Sequence, residues 1–203
     1  MDTMLEKYNL LTETYHKNRH TFDLSIIFND FYELIGQPNS GLVLDLGCGT
    51  GDGFPEYFIS KGLSIEGVDF SPNMISLCQK YHPEIKIEQE DLTTVNIEKN
   101  RYEVIESIYA FFHISNIHQY ELLQKCYEGL KKDGFMFFTY ATQEYTGKET
   151  FEGFVDFMGT PLFYAHKTPQ ALASDMSEIG FKNIQLSKKE IEGEIFLWVC
   201  GQK

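Results

Sequence analysis

The chain has 203 residues, which suit one buried core and leave little room for a second domain. Its formal net charge of −13 opposes nucleic-acid and anionic-membrane partners, since a phosphate surface would be repelled over most of the molecule. Aromatics are plentiful, with 17 Phe and 12 Tyr, yet no apolar run is long enough to span a bilayer.

Residues 4–16 and 21–35 show the apolar spacing of helices, with Phe22, Ile26, Ile27, Phe31 and Leu34 marking the second. Gly36-Gln37-Pro38-Asn39-Ser40-Gly41 breaks the chain before the first strand. The pattern then predicts strand 42–46, helix 52–60, strand 64–69, helix 72–81, strand 84–88, strand 103–108, helix 117–131 and strand 134–140. Ser71 is placed to cap one helix with Pro72 at its first position, and Thr168-Pro169 opens another that Gly180 ends. Gly134, after Lys131-Lys132-Asp133, is expected to close the helix before it. Runs at 181–187 and 194–200 read as a hairpin. Alternating strands and helices predict an α/β protein with a parallel sheet covered on both faces. Met1-Asp2-Thr3-Met4-Leu5 lacks the basic-then-apolar form of a secretory signal. Cys48, Cys78, Cys126 and Cys200 are scattered without a C-x-x-C pair, so the expectation is reduced thiols in the cytoplasm.

Val43-Leu44-Asp45-Leu46-Gly47-Cys48-Gly49-Thr50-Gly51 is a buried strand running into a glycine loop. Glycines without a Cβ let the backbone take φ > 0 and approach a ligand closely. The dinucleotide form of this loop spaces its glycines G-x-G-x-x-G, and its third glycine would fall on Asp52, so a nicotinamide cofactor fits poorly. The run resembles motif I of the class I S-adenosylmethionine (SAM)-dependent methyltransferases: an acid, a spacer, then G-x-G-x-G. That resemblance implies a Rossmann-like, doubly wound, mostly parallel seven-stranded sheet ending in an antiparallel C-terminal hairpin. It further implies one domain over 1–203, with a helical lid at 1–36 and an insertion at 141–167 near the acceptor. SAM would be the cofactor, S-adenosylhomocysteine (SAH) the product and a small molecule the methyl acceptor. A protein that binds SAM or SAH without turnover is the alternative.

In this family the glycine loop, here Gly47, Gly49 and Gly51, packs beside the methionine part of SAM. Asp45 receives its ammonium, where a carboxylate suits a cation and would repel a pyrophosphate. Cys48 resembles a small filler often found there rather than a nucleophile. Asp69, closing the second strand, is placed for the ribose hydroxyls, with Phe70 and Met74 as walls of the adenosine pocket. Asp91 and Leu92 match the adenine-reading positions, with Glu90 as the one-residue-shifted alternative. Ser107 and Tyr109 fall where residues near the methionine part are expected. His113 reads either as a general base or as a satisfied polar residue at a helix start. Tyr8 and Tyr15 resemble lid tyrosines, one of them reaching the cofactor carboxylate, and equally suit plain helix packing. Glu106 departs from the pattern: a carboxylate in a central strand is costly unless paired or protonated, so it reads either as a mark of acceptor chemistry or as a sign that the strand ends sooner. Tyr140, Tyr145, Phe151, Phe154, Phe157, Phe163, Tyr164 and His166 read either as acceptor-pocket walls or as core.

Overall fold

The structure is a computed structural model that describes residues 3–19 and 23–203. Its main sheet has seven strands in the order β3-β2-β1-β4-β5-β9-β8. These are β1 (Leu42–Leu46), β2 (Ser64–Asp69), β3 (Lys86–Gln89), β4 (Tyr102–Ser107), β5 (Leu130–Tyr140), β8 (Lys182–Ile191) and β9 (Glu194–Gln202). The first five run parallel, and β9 and β8 add antiparallel. The chain order reverses between β1 and β4, so their carboxyl ends open the crevice where ligands of such sheets bind.

Period-two alternation divides the core between the two faces of the sheet. Val43, Val104 and Phe137 face α2 (Ser25–Leu34) and α3 (Phe54–Ser60), while Leu44, Ile105 and Phe138 face α5 (Asn116–Gly129) and α7 (Pro169–Ile179). On the first face Phe31 stacks on Phe137 at 4.1 Å and Phe54 on Phe58 at 4.2 Å. Each such buried ring contributes about 2 kcal/mol of transfer free energy. Asp45 and Glu106, two residues on from Val43 and Val104, belong to this same face.

Several local expectations hold. Ser71 Oγ accepts from the Met74 N–H and caps α4 (Pro72–Tyr81), and Thr168 caps α7 in the same way. The closing hairpin turns at Glu192 and Gly193, both at positive φ. Others need correction. Helix α3 begins at Phe54 rather than at 52, because Gly53 takes φ +87 as its N-cap. Helix α5 ends at Gly129, not at 131, and Gly134 does not close it. Leu130 is already extended beside Tyr102, and Asp133 at φ +64 lies in the register shift between the Leu130 and Phe135 pairings. A Cβ on Gly129 would stand 2.4 Å from Ile97, so the last residue of the helix packs against that loop without a side chain. Phe22 lies outside the described residues, and α2 is described from Ser25.

The 141–167 segment forms a separate two-stranded sheet, β6 (Phe151–Phe157) with β7 (Thr160–His166), after the short helix α6 (Gln143–Thr146). Helix α1 (Met4–Arg19) lies across the crevice between this hairpin and α4. Lys7 Nζ donates to the Pro161 carbonyl, the Phe163 N–H meets Met4 Sδ, and Ser71 Oγ donates to Asn9 Oδ1 at 2.7 Å. Among the described residues no helix is long and apolar enough to cross a membrane.

Candidate active site

Residues 47–51 turn the chain from β1 toward α3, and the glycines there have different reasons to be glycine. Gly47 takes φ +85, and a Cβ on it would stand 2.3 Å from the Ala110 Cβ. Gly49 takes φ +53 with nothing within 4 Å, so its bare Cα faces open space. The backbone stitches this loop to β2: Gly47 and Cys48 donate to the Val68 carbonyl at 2.8 and 3.0 Å. Asp69 completes the stitch, accepting from Gly49 N–H on Oδ2 at 2.9 Å and from Ser71 N–H on Oδ1 at 2.8 Å. Burial raises the Asp69 carboxyl to about 6 against the pull of these backbone donors.

Two cavities meet over the loop. One, of about 290 Å³, runs over Asp69, Phe70, Met74, Glu90, Asp91 and Leu92 toward His113 and Phe163, with α1 as its roof. The other, of about 190 Å³, reaches down to Asp45 and Glu106. Tyr15, Gly47, Gly49 and Tyr109 line both. Tyr109 holds φ +59, a strained conformation fixed by its N–H donating to Thr139 Oγ1 at 2.6 Å.

At the floor of the second cavity Asp45 and Glu106 are register partners on β1 and β4, 3 % and 1 % exposed. Their carboxyl groups hydrogen-bond to each other, and Glu106 Oε2 also accepts from the Ile108 N–H at 3.1 Å. Strand β4 continues past Glu106 to Ser107, so it is pairing, and not an early strand end, that accommodates this acid. Burial pushes both carboxyls upward: Asp45 rises to about 7, with repulsion from Asp69 adding and the Glu106 hydrogen bond opposing, and Glu106 is raised further by the Asp45 charge, so the pair keeps a proton.

His113 ends a 3₁₀ turn (Phe111–His113) and lines the larger cavity. Its Nδ1 lies 2.6 Å from the Phe163 carbonyl, which can only accept, so Nδ1 carries a hydrogen, and in the neutral ring the lone pair is on Nε2. Tyr8 and Tyr164 meet the ring edge-on at 5.6 and 4.6 Å.

Not every expected residue comes to the cavities. Ser107 lies off them, its buried hydroxyl donating to the Leu46 carbonyl at 2.7 Å as a brace between β4 and β1. Gly51 is likewise away from the cavity linings, packed where a Cβ would meet Cys78 Sγ at 2.5 Å. Cys48 does line the lower cavity, but its sulfur fills the space above Gly67, and burial pushes its thiol well above the ordinary range. Of the eight aromatic and histidine side chains singled out around the insertion, Phe163 reaches the cavity. Tyr140, Phe157, Tyr164 and His166 are buried core, and Phe154 is 51 % exposed.

Asp52, read from the sequence only as a missing glycine, ties α1 to the loop. Its carboxylate accepts from His16 Nδ1 and Thr50 Oγ1 at 2.7 Å each, with His82 Nε2 at 3.3 Å. Burial alone would raise its pKa, but these hydrogen bonds outweigh burial and lower it. His16 stands on α1, far from the loop in sequence, and no sequence spacing announces the contact.

The description "Methyltransferase domain" fits residues 43–134 by family profile. The chain is 27 % identical over 147 residues to a phosphoethanolamine N-methyltransferase of Plasmodium falciparum, covering 70 % of this chain and 54 % of that protein. It therefore spans about half the length of that curated relative. In fold it resembles an S-adenosylmethionine-dependent methyltransferase from Mesorhizobium loti (TM-score 0.70, 17 % identity, covering 86 % of this chain and 96 % of that one). It also resembles the 1,6-didemethyltoxoflavin-N1-methyltransferase of Burkholderia thailandensis, solved with 1,6-didemethyltoxoflavin and S-adenosylhomocysteine bound. There the TM-score is 0.70 at 16 % identity, covering 100 % of this chain and 91 % of that one.

Proposed function

We propose that the chain is a class I SAM-dependent methyltransferase, on the methyltransferase-domain match over residues 43–134 and the fold it shares with such enzymes, and that it methylates a small-molecule acceptor held under α1. The observation that carries the reading is the pair of joined cavities along the carboxyl ends of β1, β2 and β4. Acids stand at both ends of this space, and among its described lining residues there is no Lys or Arg. That suits a cofactor with a sulfonium, an ammonium and ribose hydroxyls, and opposes a pyrophosphate.

SAM, when bound, supplies an electrophilic methyl group. Asp45 receives its ammonium, and Gly49 leaves room for the chain beside it. Asp69 accepts the ribose hydroxyls, Phe70 and Met74 enclose the sugar and base, and Asp91 and Leu92 meet the adenine edge. Tyr15, lining both cavities, closes the space over the methionine part together with Tyr109. The acceptor lies in the roofed end near Tyr8, Phe163 and His113, where His113 Nε2 takes a proton from any acceptor that must lose one. Alignment and exclusion of water do most of the rest, because the sulfonium is already activated. The N-methylations of small molecules named for two of the relatives support such an acceptor. Four buried free cysteines support a cytoplasmic setting.

The test is transfer of labelled methyl from SAM to a panel of small amines, phenols and thiols, followed by mass spectrometry of the product. Turnover on any of them supports the reading. SAH binding without transfer across the panel would favour the non-catalytic alternative.

A further inference from the structure

Glu106 is the residue the family pattern does not ask for, and its surroundings give it a task. In register, Asp45 has Gly67 on one side and Glu106 on the other, while Glu106 has Phe137 beyond it. Gly67 offers no side chain, and the gap above it is filled by Cys48. Glu106 is thus the lateral partner on the sheet that can hydrogen-bond the Asp45 carboxyl. It is itself anchored by the Ile108 N–H at 3.1 Å. Both carboxyls line the lower cavity.

Resting on the SAM reading, we propose that Glu106 is a positioning residue for the cofactor: it stays protonated and donates to Asp45, so that one oriented carboxylate faces the incoming ammonium. Two ionised carboxylates at this depth would repel each other, whereas the acid–carboxylate pair carries one charge and a fixed donor direction. When the ammonium arrives, Asp45 must be ionised. Affinity therefore falls as the solution is acidified toward neutrality and below, and binding releases the proton that Asp45 held. The other titratable groups facing the pair are Asp69 on β2, the thiols of Cys48 and Cys78, and Asp52, Glu56, Tyr15 and Tyr109 around the cavity. All of these remain in a Glu106 variant, so differences between variants isolate the pair.

The experiment is calorimetric titration of the full chain with SAH from pH 6 to pH 8. Wild type, Glu106→Gln and Glu106→Leu are compared in two buffers of different ionisation enthalpy. Gln keeps a neutral donor, so its affinity is expected within about threefold of wild type with the same pH midpoint. Leu removes the donor, so its affinity at pH 7 is expected to drop about tenfold or more, with its midpoint moved to higher pH. Loss of affinity in the Gln variant comparable to that in the Leu variant would overturn the proposal, because Glu106 would then act as an anion. A Leu variant with the wild-type pH profile would reduce Glu106 to filler. Should the Leu variant not fold, wild-type affinity that is flat across this range with no proton release overturns the proposal on its own. Absence of SAH binding by the wild type at every pH would contradict the SAM reading instead.

Discussion

Around the glycine loop the backbone carries the bonding. Gly47 and Cys48 share the Val68 carbonyl, and Gly49 and Ser71 share the Asp69 carboxylate. Over the same cavity, α1 is tied down by side chains: Asn9 at Ser71, His16 at Asp52, and Lys7 at Pro161 of the β6–β7 hairpin, whose own Leu162 and Tyr164 are packed into the core. The rim is continuous with a seven-stranded sheet, and its geometry cannot change without disturbing strands. With α1 proposed as the lid, its bonds to the rest are side-chain contacts that can break while the sheet stays intact, as in elements that gate ligand access. Substitutions in the rim should therefore be felt first in folding, and substitutions in the lid first in ligand exchange.

The sharpest way to break this contrast is Gly47→Ala. The new methyl would sit 2.3 Å from Ala110 at a positive φ. It is expected to cost about 3 kcal/mol or more of stability in urea unfolding; a cost below about 1 kcal/mol would show that the rim yields. Next in size is His113→Ala, expected to lower turnover about a hundredfold while SAH affinity stays within about threefold. Equal losses in both would make it a binding residue and not a base.

Gly49→Ala sharpens the contrast within the loop itself. No atom lies within 4 Å of the added methyl, so stability should fall by only about 1 kcal/mol, the price of a left-handed alanine. SAH affinity should fall about tenfold or more, since the methyl enters the space the cofactor fills. Unchanged affinity would mean that nothing packs on this glycine.

The smallest effect is expected in the lid. His16→Ala removes one contact to Asp52 and should change stability by less than about 1 kcal/mol, while raising the SAH dissociation rate several-fold by stopped-flow. The pH dependence of folding tests the rim in another way. Asp69 unfolded loses its proton near the ordinary aspartate value of 3.8, but folded keeps it until about 6. The folded state thus binds more protons in that window, and the group's contribution to stability falls as pH rises through it. Asp69→Asn should flatten that slope by about 1 kcal/mol per pH unit.

The rim was legible in the sequence because its constraints are local. A glycine loop after an apolar strand, an acid closing the next strand, and Ser71-Pro72 opening a helix are all read within a few residues of one another. The order of elements followed from the same alternation. The lid was not legible, because nothing near His16 announces Asp52 and nothing near Phe163 announces the His113 ring. Such contacts are set by tertiary packing between segments far apart in the chain. Aromatic content misled for the same reason: Tyr140, Phe157 and Tyr164 had the composition of a pocket wall and were taken up by the core, and Phe163 alone of that set faces the cavity. Glu106 stood between the two cases. The sequence showed that the acid was out of place, and only the register of β1 against β4 showed which residue it accompanies.

The most direct test of the account is one calorimetric comparison: SAH and NADH titrated separately into the wild-type chain, with Asp69→Ala alongside. The account predicts one SAH site of about micromolar affinity, lost in the variant, and no heat from NADH. Binding of NADH without SAH would contradict it, and the cavity over the glycine loop would then belong to a different cofactor.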